Sequence, residues 1–190
     1  MKTINYKEIF EIVCRLYVFF FLMVYGLAKV FGGQFYSSDE IPPEIATMPI
    51  AQISDFDLAW VFMGRSYGYI LFIGLAEAIG AAMLLFNRTK LIGALILIPI
   101  MVNVIVFDIF FLDKYGALAG ATLYLIMLLA ILLINKEKII TVIKTLSYFD
   151  ATAKTSMKEK LIKFSVVALI IVVVFVLDQL VVNWLGHGKG

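Results

Sequence analysis

Apolar residues fall into five long stretches along the chain, and polar or charged segments separate them. The stretches are approximately 9–31, 67–86, 91–112, 117–134 and 162–184. Each is long enough to cross a hydrocarbon core of about 30 Å as a helix that rises about 1.5 Å per residue. Backbone amides in lipid must be hydrogen-bonded within their own segment, and the short alternating strands of a barrel have a different pattern. The pattern therefore predicts an all-α polytopic membrane protein: a four-helix transmembrane bundle plus a fifth transmembrane helix.

The order of these stretches predicts a single membrane domain over residues 1–190. Its parts are a four-helix bundle at 9–134, a basic linker at 135–161 and an extra transmembrane helix at 162–184. Arg15 and Lys29 interrupt the first stretch and no small-residue cleavage site follows it closely, so we interpret it as an uncleaved helix. The connection 32–66 is long enough to form a cap across the bundle. Within the linker, 138–149 has the spacing either of an interfacial amphipathic helix or of an extension of the fourth helix.

Composition supports the membrane assignment and narrows the chemistry. Hydrophobic residues make up 63% of the chain and charged residues 16%, whereas soluble domains have about 25% charged residues. The net charge of +2 is small and the basic residues form no continuous stripe, which argues against nucleic acid as a partner. Cys14 is the one cysteine and His187 the one histidine, too few for a disulfide relay, a bis-histidine haem or a structural zinc site. Composition identifies no cofactor, and a quinone or a lipid is compatible with it.

Lysine and arginine collect beside particular stretches, and they predict the orientation in the membrane. Cytoplasmic loops have an excess of these residues. Arg88 and Lys90 lie between the second and third stretches, and seven lysines lie between residues 136 and 163. The connection between the first two stretches is acidic instead. We expect a multi-pass protein of a bacterial inner membrane with its N-terminus in the cytoplasm and its C-terminus outside.

Polar residues inside the apolar stretches are the candidates for a ligand-binding or proton site. An ionisable side chain near the centre of a membrane helix costs roughly 2.5 to 3.5 kcal/mol on insertion scales, so it usually faces protein and has a function. No catalytic residue and no metal ligand is assigned. The candidates are Arg15, Lys29, Glu77, Asn103, Asp108 and Asp178.

Two groupings of these residues are expected. Glu77 lies near the middle of the second stretch among small residues, and Arg15 is close enough in depth to pair with it, either as a staple between helices or as part of a site. Asp108 and Asp178 lie in the outward halves of their stretches and form an outward-facing pocket with Lys29 as counter-ion. Alternatively, these two carboxylates reach the outer water and Lys29 extends to the membrane boundary.

Several short motifs of the first three stretches resemble the DoxX family of small bacterial membrane proteins. The residues are Arg15, Tyr25, Gly26 and Lys29, then 74–80 (GLAEAIG), 87–89 (NRT) and 91–94 (LIGA). The resemblance covers about residues 9–134. It implies a four-helix bundle and a link to quinone- or thiol-dependent oxidoreductases, of which family members can be membrane subunits. The long acidic connection, the basic linker and the fifth stretch depart from the family.

Three functions follow as alternatives, and the sequence leaves open whether the protein is an enzyme. The first is an accessory or membrane-anchor subunit that binds a quinone-like or lipid-like molecule beside Glu77 and Arg15, linked to redox metabolism. The second is a small proton-coupled transporter in which Glu77 titrates. The third is an assembly or interaction factor for another membrane protein. The expected partners are the lipid bilayer and another membrane or redox protein, and the oligomeric state stays open.

Overall fold

The computed structural model describes residues 5–37, 39–112, 115–147 and 156–185. In these ranges the secondary structure is helical, with one short 3-10 turn at Ile50–Gln52 and no β-strand. Five of the helices are long and apolar enough to cross a membrane, namely α1, α4, α5, α6 and α8. This confirms the predicted all-α, multi-pass membrane protein. The helices are α1 Tyr6–Val30, α2 Pro43–Ala46, α3 Asp55–Gly64, α4 Tyr67–Leu84, α5 Lys90–Phe111, α6 Tyr115–Ile134, α7 Lys136–Leu146 and α8 Met157–Leu185.

Four of the long helices form a closed bundle. Helix α1 packs against α4 and α6, and α5 packs against the same two neighbours from the other side. Contacts of α1 residues 15 and 26 with α4 residues 84 and 74 show that these two helices are antiparallel. The buried core follows the bundle axis and consists of Cys14, Val18, Leu22, Ala81, Leu84, Ala94, Leu97, Met101, Tyr124, Leu128 and Ile131.

The chain forms two compact units that divide between Ile143 and Lys144. The first contains the bundle, and the second contains α8, an apolar helix of 29 residues. The prediction of one membrane domain over the whole chain stays a prediction. A single residue, Asn135, separates the end of α6 from the start of α7. It is thus a separate short helix, and the final residues of the amphipathic segment expected at 138–149 lie outside the described ranges.

The connection between α1 and α4 is folded. Ser54 begins α3 by accepting a hydrogen bond from the amide of Asp57, the expected arrangement at a helix N-cap. The ring of Trp60 stacks on Phe56 with centroids 4.1 Å apart. Gly64, at the end of α3, faces the carbonyl of Tyr36 at a distance that leaves no room for a Cβ atom. Helix α3 packs against α4 and α5, as the predicted cap requires.

Candidate functional site

The crossing of α1 and α4 is built on two glycines. A Cβ atom added to Gly26 would lie 2.8 Å from the carbonyl oxygen of Gly74, and one added to Gly74 would lie 2.8 Å from that of Gly26. Small residues at such positions let two membrane helices approach backbone to backbone. The same added Cβ on Gly74 would lie 2.9 Å from the Cβ of Lys29. The crossing therefore places Lys29 directly over α4.

Lys29 forms an ion pair with Glu77 inside the bundle. Its Nζ donates a hydrogen bond of 2.7 Å to Oε2 of Glu77. Glu77 is 1% exposed and Lys29 is 7% exposed, so neither charge has appreciable contact with the surroundings of the bundle. Glu77 lies ten residues after the first residue of α4, or about 15 Å along the helix, which is near the middle of a span.

A second carboxylate, that of Asp108 on α5, is close enough to feel the charge of Lys29. Asp108 is 4% exposed, and its Oδ2 has no hydrogen-bond partner among the described residues. We refer to Lys29, Glu77 and Asp108 as the Lys29 cluster. In the described part of the chain the ammonium group of Lys29 donates a hydrogen bond to Glu77 and none to Asp108.

The predicted pair between Arg15 and Glu77 is wrong. Arg15 instead donates from Nε to the carbonyl of Leu84 at 2.6 Å and from Nη2 to that of Leu85 at 2.7 Å. These acceptors lie seven and eight residues beyond Glu77, or about 10 to 12 Å further along α4. The predicted difference in depth between Arg15 and Glu77 was therefore too small. In the structure α1 extends beyond α4 at this end.

The Arg15 cluster, made of Glu11, Arg15, Asn87 and Lys90, lies where α4 ends and α5 begins. Arg15 Nη1 donates to Oδ1 of Asn87 at 2.7 Å and lies 3.9 Å from Glu11, which also contacts Lys90 Nζ. Sequence reasoning missed Glu11 and Asn87 and treated Lys90 only as a loop charge. The four-residue spacing of Glu11 and Arg15 on one helix was the available signal.

Arg15 has a structural role at the end of α4. The last carbonyls of a helix have no partner within it and need donors from elsewhere. Arg15 supplies donors to two of them, and the hydroxyl of Thr89 supplies a third by donating to the carbonyl of Met83 at 2.8 Å. A cation at a helix C-terminus is also favoured by the helix dipole.

Two other candidate residues lie outside the Lys29 cluster. Asn103 on α5 is exposed and lines a shallow groove with Phe107 and Phe111, so the structure does not bring it to Glu77. Asp178 belongs to α8 in the second unit, where its side chain is exposed and accepts a 3.3 Å hydrogen bond from Gln179. Lys29 and Asp108 are both buried in the bundle, while the outward-facing pocket and the participation of Asp178 stay predictions. The alternative in which Asp108 reaches the outer water does not agree with its burial.

The Lys29 cluster has more carboxylates than cations. If both carboxylates are ionised, one negative charge has no counter-charge, and an uncompensated buried charge is costly. A single proton on either carboxyl group makes the cluster neutral.

Comparison with known proteins gave one curated relative. The chain is 40% identical over 124 residues to the uncharacterized protein YwoB of Bacillus subtilis, a match that covers 65% of this chain and 75% of that protein. No family model matches the chain. No solved structure matches it either.

Proposed function

The chain belongs to the family of the Bacillus subtilis protein YwoB, and from the geometry of the Lys29 cluster we propose that the protein is a small proton-coupled carrier. The observation that carries the proposal is the burial of Glu77 and Asp108 around a single ammonium group. Asp108 is only 4% exposed, yet its Oδ2 has no hydrogen-bond partner among the described residues.

The net charge of the Lys29 cluster couples the binding of a proton to the binding of a cation. With a proton on Asp108, the cluster is neutral and stable in a low-dielectric bundle. When that proton leaves, the cluster has one uncompensated negative charge, which attracts a monovalent cation. Proton and cation therefore compete for the same site, and this competition is what an exchanger requires. Glu77 stays paired with Lys29 in both states and keeps α1 and α4 in register.

We also propose the orientation that the basic segments favour. The Arg15 cluster and the basic segment at α7 lie on the cytoplasmic side of a bacterial inner membrane, and α3 lies outside. The N-terminus is then cytoplasmic and the C-terminus is outside. The Lys29 cluster lies in the outward half of the bundle in this orientation.

The likeness to DoxX proteins remains a proposal. The residues that carry it include Gly26, Lys29, Gly74 and Glu77, which build the α1–α4 crossing and its ion pair. The likeness suggests an accessory subunit that binds a quinone-like or lipid-like ligand, and this binding site requires Glu77 and Arg15 side by side. Because these two residues lie in different clusters, the carrier agrees better with the geometry.

Two measurements test the carrier. In proteoliposomes with an internal pH indicator, gradients of inorganic and organic monovalent cations should drive proton movement through the wild-type protein. Asp108→Asn should abolish this movement, since its amide cannot exchange a proton, and Asp39→Asn, at an exposed carboxylate, should leave it unchanged.

The second measurement needs no transported cation. The infrared spectrum of the wild-type protein at neutral pH should contain the carbonyl band of a protonated carboxyl group, and Asp108→Asn or Glu77→Gln should remove or shift it. Identical spectra for the wild type and both variants would show that the cluster holds no proton, and the proposal would be wrong.

A further inference from the structure

A cleft opens beside the Arg15 cluster, at the other end of α4 from α3. Its volume is about 250 Å³. The lining residues are Ile12, Arg15, Leu16, Leu84, Leu85 and Asn87. Four are aliphatic and two are polar, so the cleft combines an apolar wall with a small hydrogen-bonding end. This combination matches a molecule with a charged head and an apolar tail.

The polar end has unused donors. A guanidinium group has five N–H bonds, and in the described part of the chain three of those of Arg15 go to Leu84, Leu85 and Asn87. Two remain, on a side chain that is 9% exposed and held in place by the other three bonds. A planar guanidinium that is fixed in this way is suited to an anionic oxygen pair such as that of a phosphate.

The local charge also favours an anion. Arg15 and Lys90 are cations that share the single carboxylate of Glu11, which leaves one positive charge without a counter-charge. Arg88, in the turn between α4 and α5, is exposed and adds another. Basic clefts between membrane helices on the cytoplasmic side are typical binding sites for anionic lipid headgroups.

The depth of the cleft agrees with a lipid headgroup. Its polar end is level with the last carbonyls of α4, where the span ends, and α1 continues from Arg15 to Tyr6 for nine residues, or about 13 Å, beyond that level. Ile12 and Leu16 lie on α1 on either side of Arg15 and are both exposed. Ile12 lies on the headgroup side of Arg15, and an acyl chain can pass along Leu16 toward the bilayer core.

We infer that this cleft binds an anionic phospholipid, with the phosphate at Arg15 and Asn87, the headgroup beside Ile12 and the start of an acyl chain against Leu16. The inference is independent of the proposed carrier function, which uses the Lys29 cluster. Bound lipid would join α1 to the turn between α4 and α5 at this end of the bundle.

The test titrates phosphatidylglycerol or phosphatidylcholine into the delipidated, detergent-solubilised full-length protein and counts bound lipid by native mass spectrometry. Ile12→Trp fills the cleft without touching the bonds of Arg15. Val13→Trp is the matched control, because Val13 is exposed on the next position of α1 and does not line the cleft.

Wild type and Val13→Trp should bind phosphatidylglycerol more tightly than phosphatidylcholine by about tenfold or more. Both lipids have the phosphate, but phosphatidylcholine also has a choline cation, which the uncompensated positive charge of Arg15, Lys90 and Arg88 disfavours. Ile12→Trp should lose this preference. Equal binding of the two lipids by the wild type, or an unchanged preference in Ile12→Trp, would overturn the inference. Displacement of phosphatidylglycerol by millimolar inorganic phosphate would also overturn it, because the cleft would then recognise a free anion instead of a lipid.

Discussion

Replacing Lys29 with methionine removes the charge of the buried ion pair and keeps most of the volume of the side chain. Glu77, which is 1% exposed, then has no cation beside it. Loss of one partner of a buried pair costs about 3 to 5 kcal/mol. Since 1 kcal/mol shifts the melting temperature of a chain of this size by about 2 to 4 °C, Lys29→Met should lower it by roughly 6 to 20 °C. Thermal unfolding in detergent measures the shift, and Lys7→Met, at an exposed lysine of α1, is the control.

The double variant Lys29→Met with Glu77→Leu distinguishes the interaction between these two residues from their separate contributions to stability. It buries no unpaired carboxylate at position 77, so most of the lost stability should return, as happens when buried ion pairs are replaced by apolar residues of similar volume. The coupling energy of the mutant cycle should then be close in size to the sum of the two single losses. If the loss in the double variant equals the sum of the two single losses, Lys29 and Glu77 do not interact and the reasoning about the bundle centre fails.

Three further variants test other parts of the structure. Gly74→Ala forces a Cβ atom against the backbone of α1 and should destabilise the protein by about 1 to 3 kcal/mol, whereas Gly68→Ala, with open space around it, should not; melting temperatures of the two compare them. Arg15→Lys keeps the charge but cannot reproduce three hydrogen bonds, and its melting temperature should fall clearly below that of the wild type. Burial is the largest cause that raises the pKa of Tyr36, followed by the hydrogen bond to Asp57 and the charge of Asp57. The protonated Tyr36 therefore stabilises the fold at every pH below the pKa of an unfolded tyrosine. This stabilisation is lost as the pH rises through the pKa of Tyr36 in the folded protein. Asp57→Asn should lower the pKa of Tyr36. An absorbance titration measures this pKa, with Tyr36→Phe as the reference that lacks the group. An unchanged pKa in Asp57→Asn would contradict the contact between Tyr36 and Asp57.

The membrane spans could be predicted because hydropathy averaged over about 20 residues reports directly on the transfer of a helix into lipid. Helix ends were less accurate for the same reason. The apolar stretch begins near residue 9, but α1 begins at Tyr6 because Asn5 accepts a hydrogen bond from the amide of Glu8 and so caps the helix in its polar part. Likewise α8 begins at Met157, five residues before the apolar stretch. Hydropathy locates the bilayer along a helix and does not locate the helix terminus.

Lys29, Glu77 and Asp108 were among the candidate residues, but the ion pair of Glu77 with Lys29 was not predicted. Helical periodicity puts Arg15 and Lys29 on the same face of α1, so it cannot decide which of them meets Glu77. That choice depends on where the helices cross, and the crossing is set by the backbone contact between Gly26 and Gly74. Both glycines are visible in the sequence, yet their mutual contact requires the three-dimensional arrangement. The Arg15 cluster was missed because two of its members lie in segments that looked like ordinary polar flanks.

The pairing of Lys29 with Glu77 also has a consequence for biosynthesis. The two residues are 48 positions apart, so at about 5 to 20 residues per second Glu77 is made roughly 2 to 10 seconds after Lys29. During that interval the first helix contains a lysine without a carboxylate, and its long side chain can reach the membrane boundary. The ion pair can form only after the next membrane helix has been made. A ribosome that stalls between the two segments should therefore leave the first helix without the contact that holds Lys29 inside the bundle.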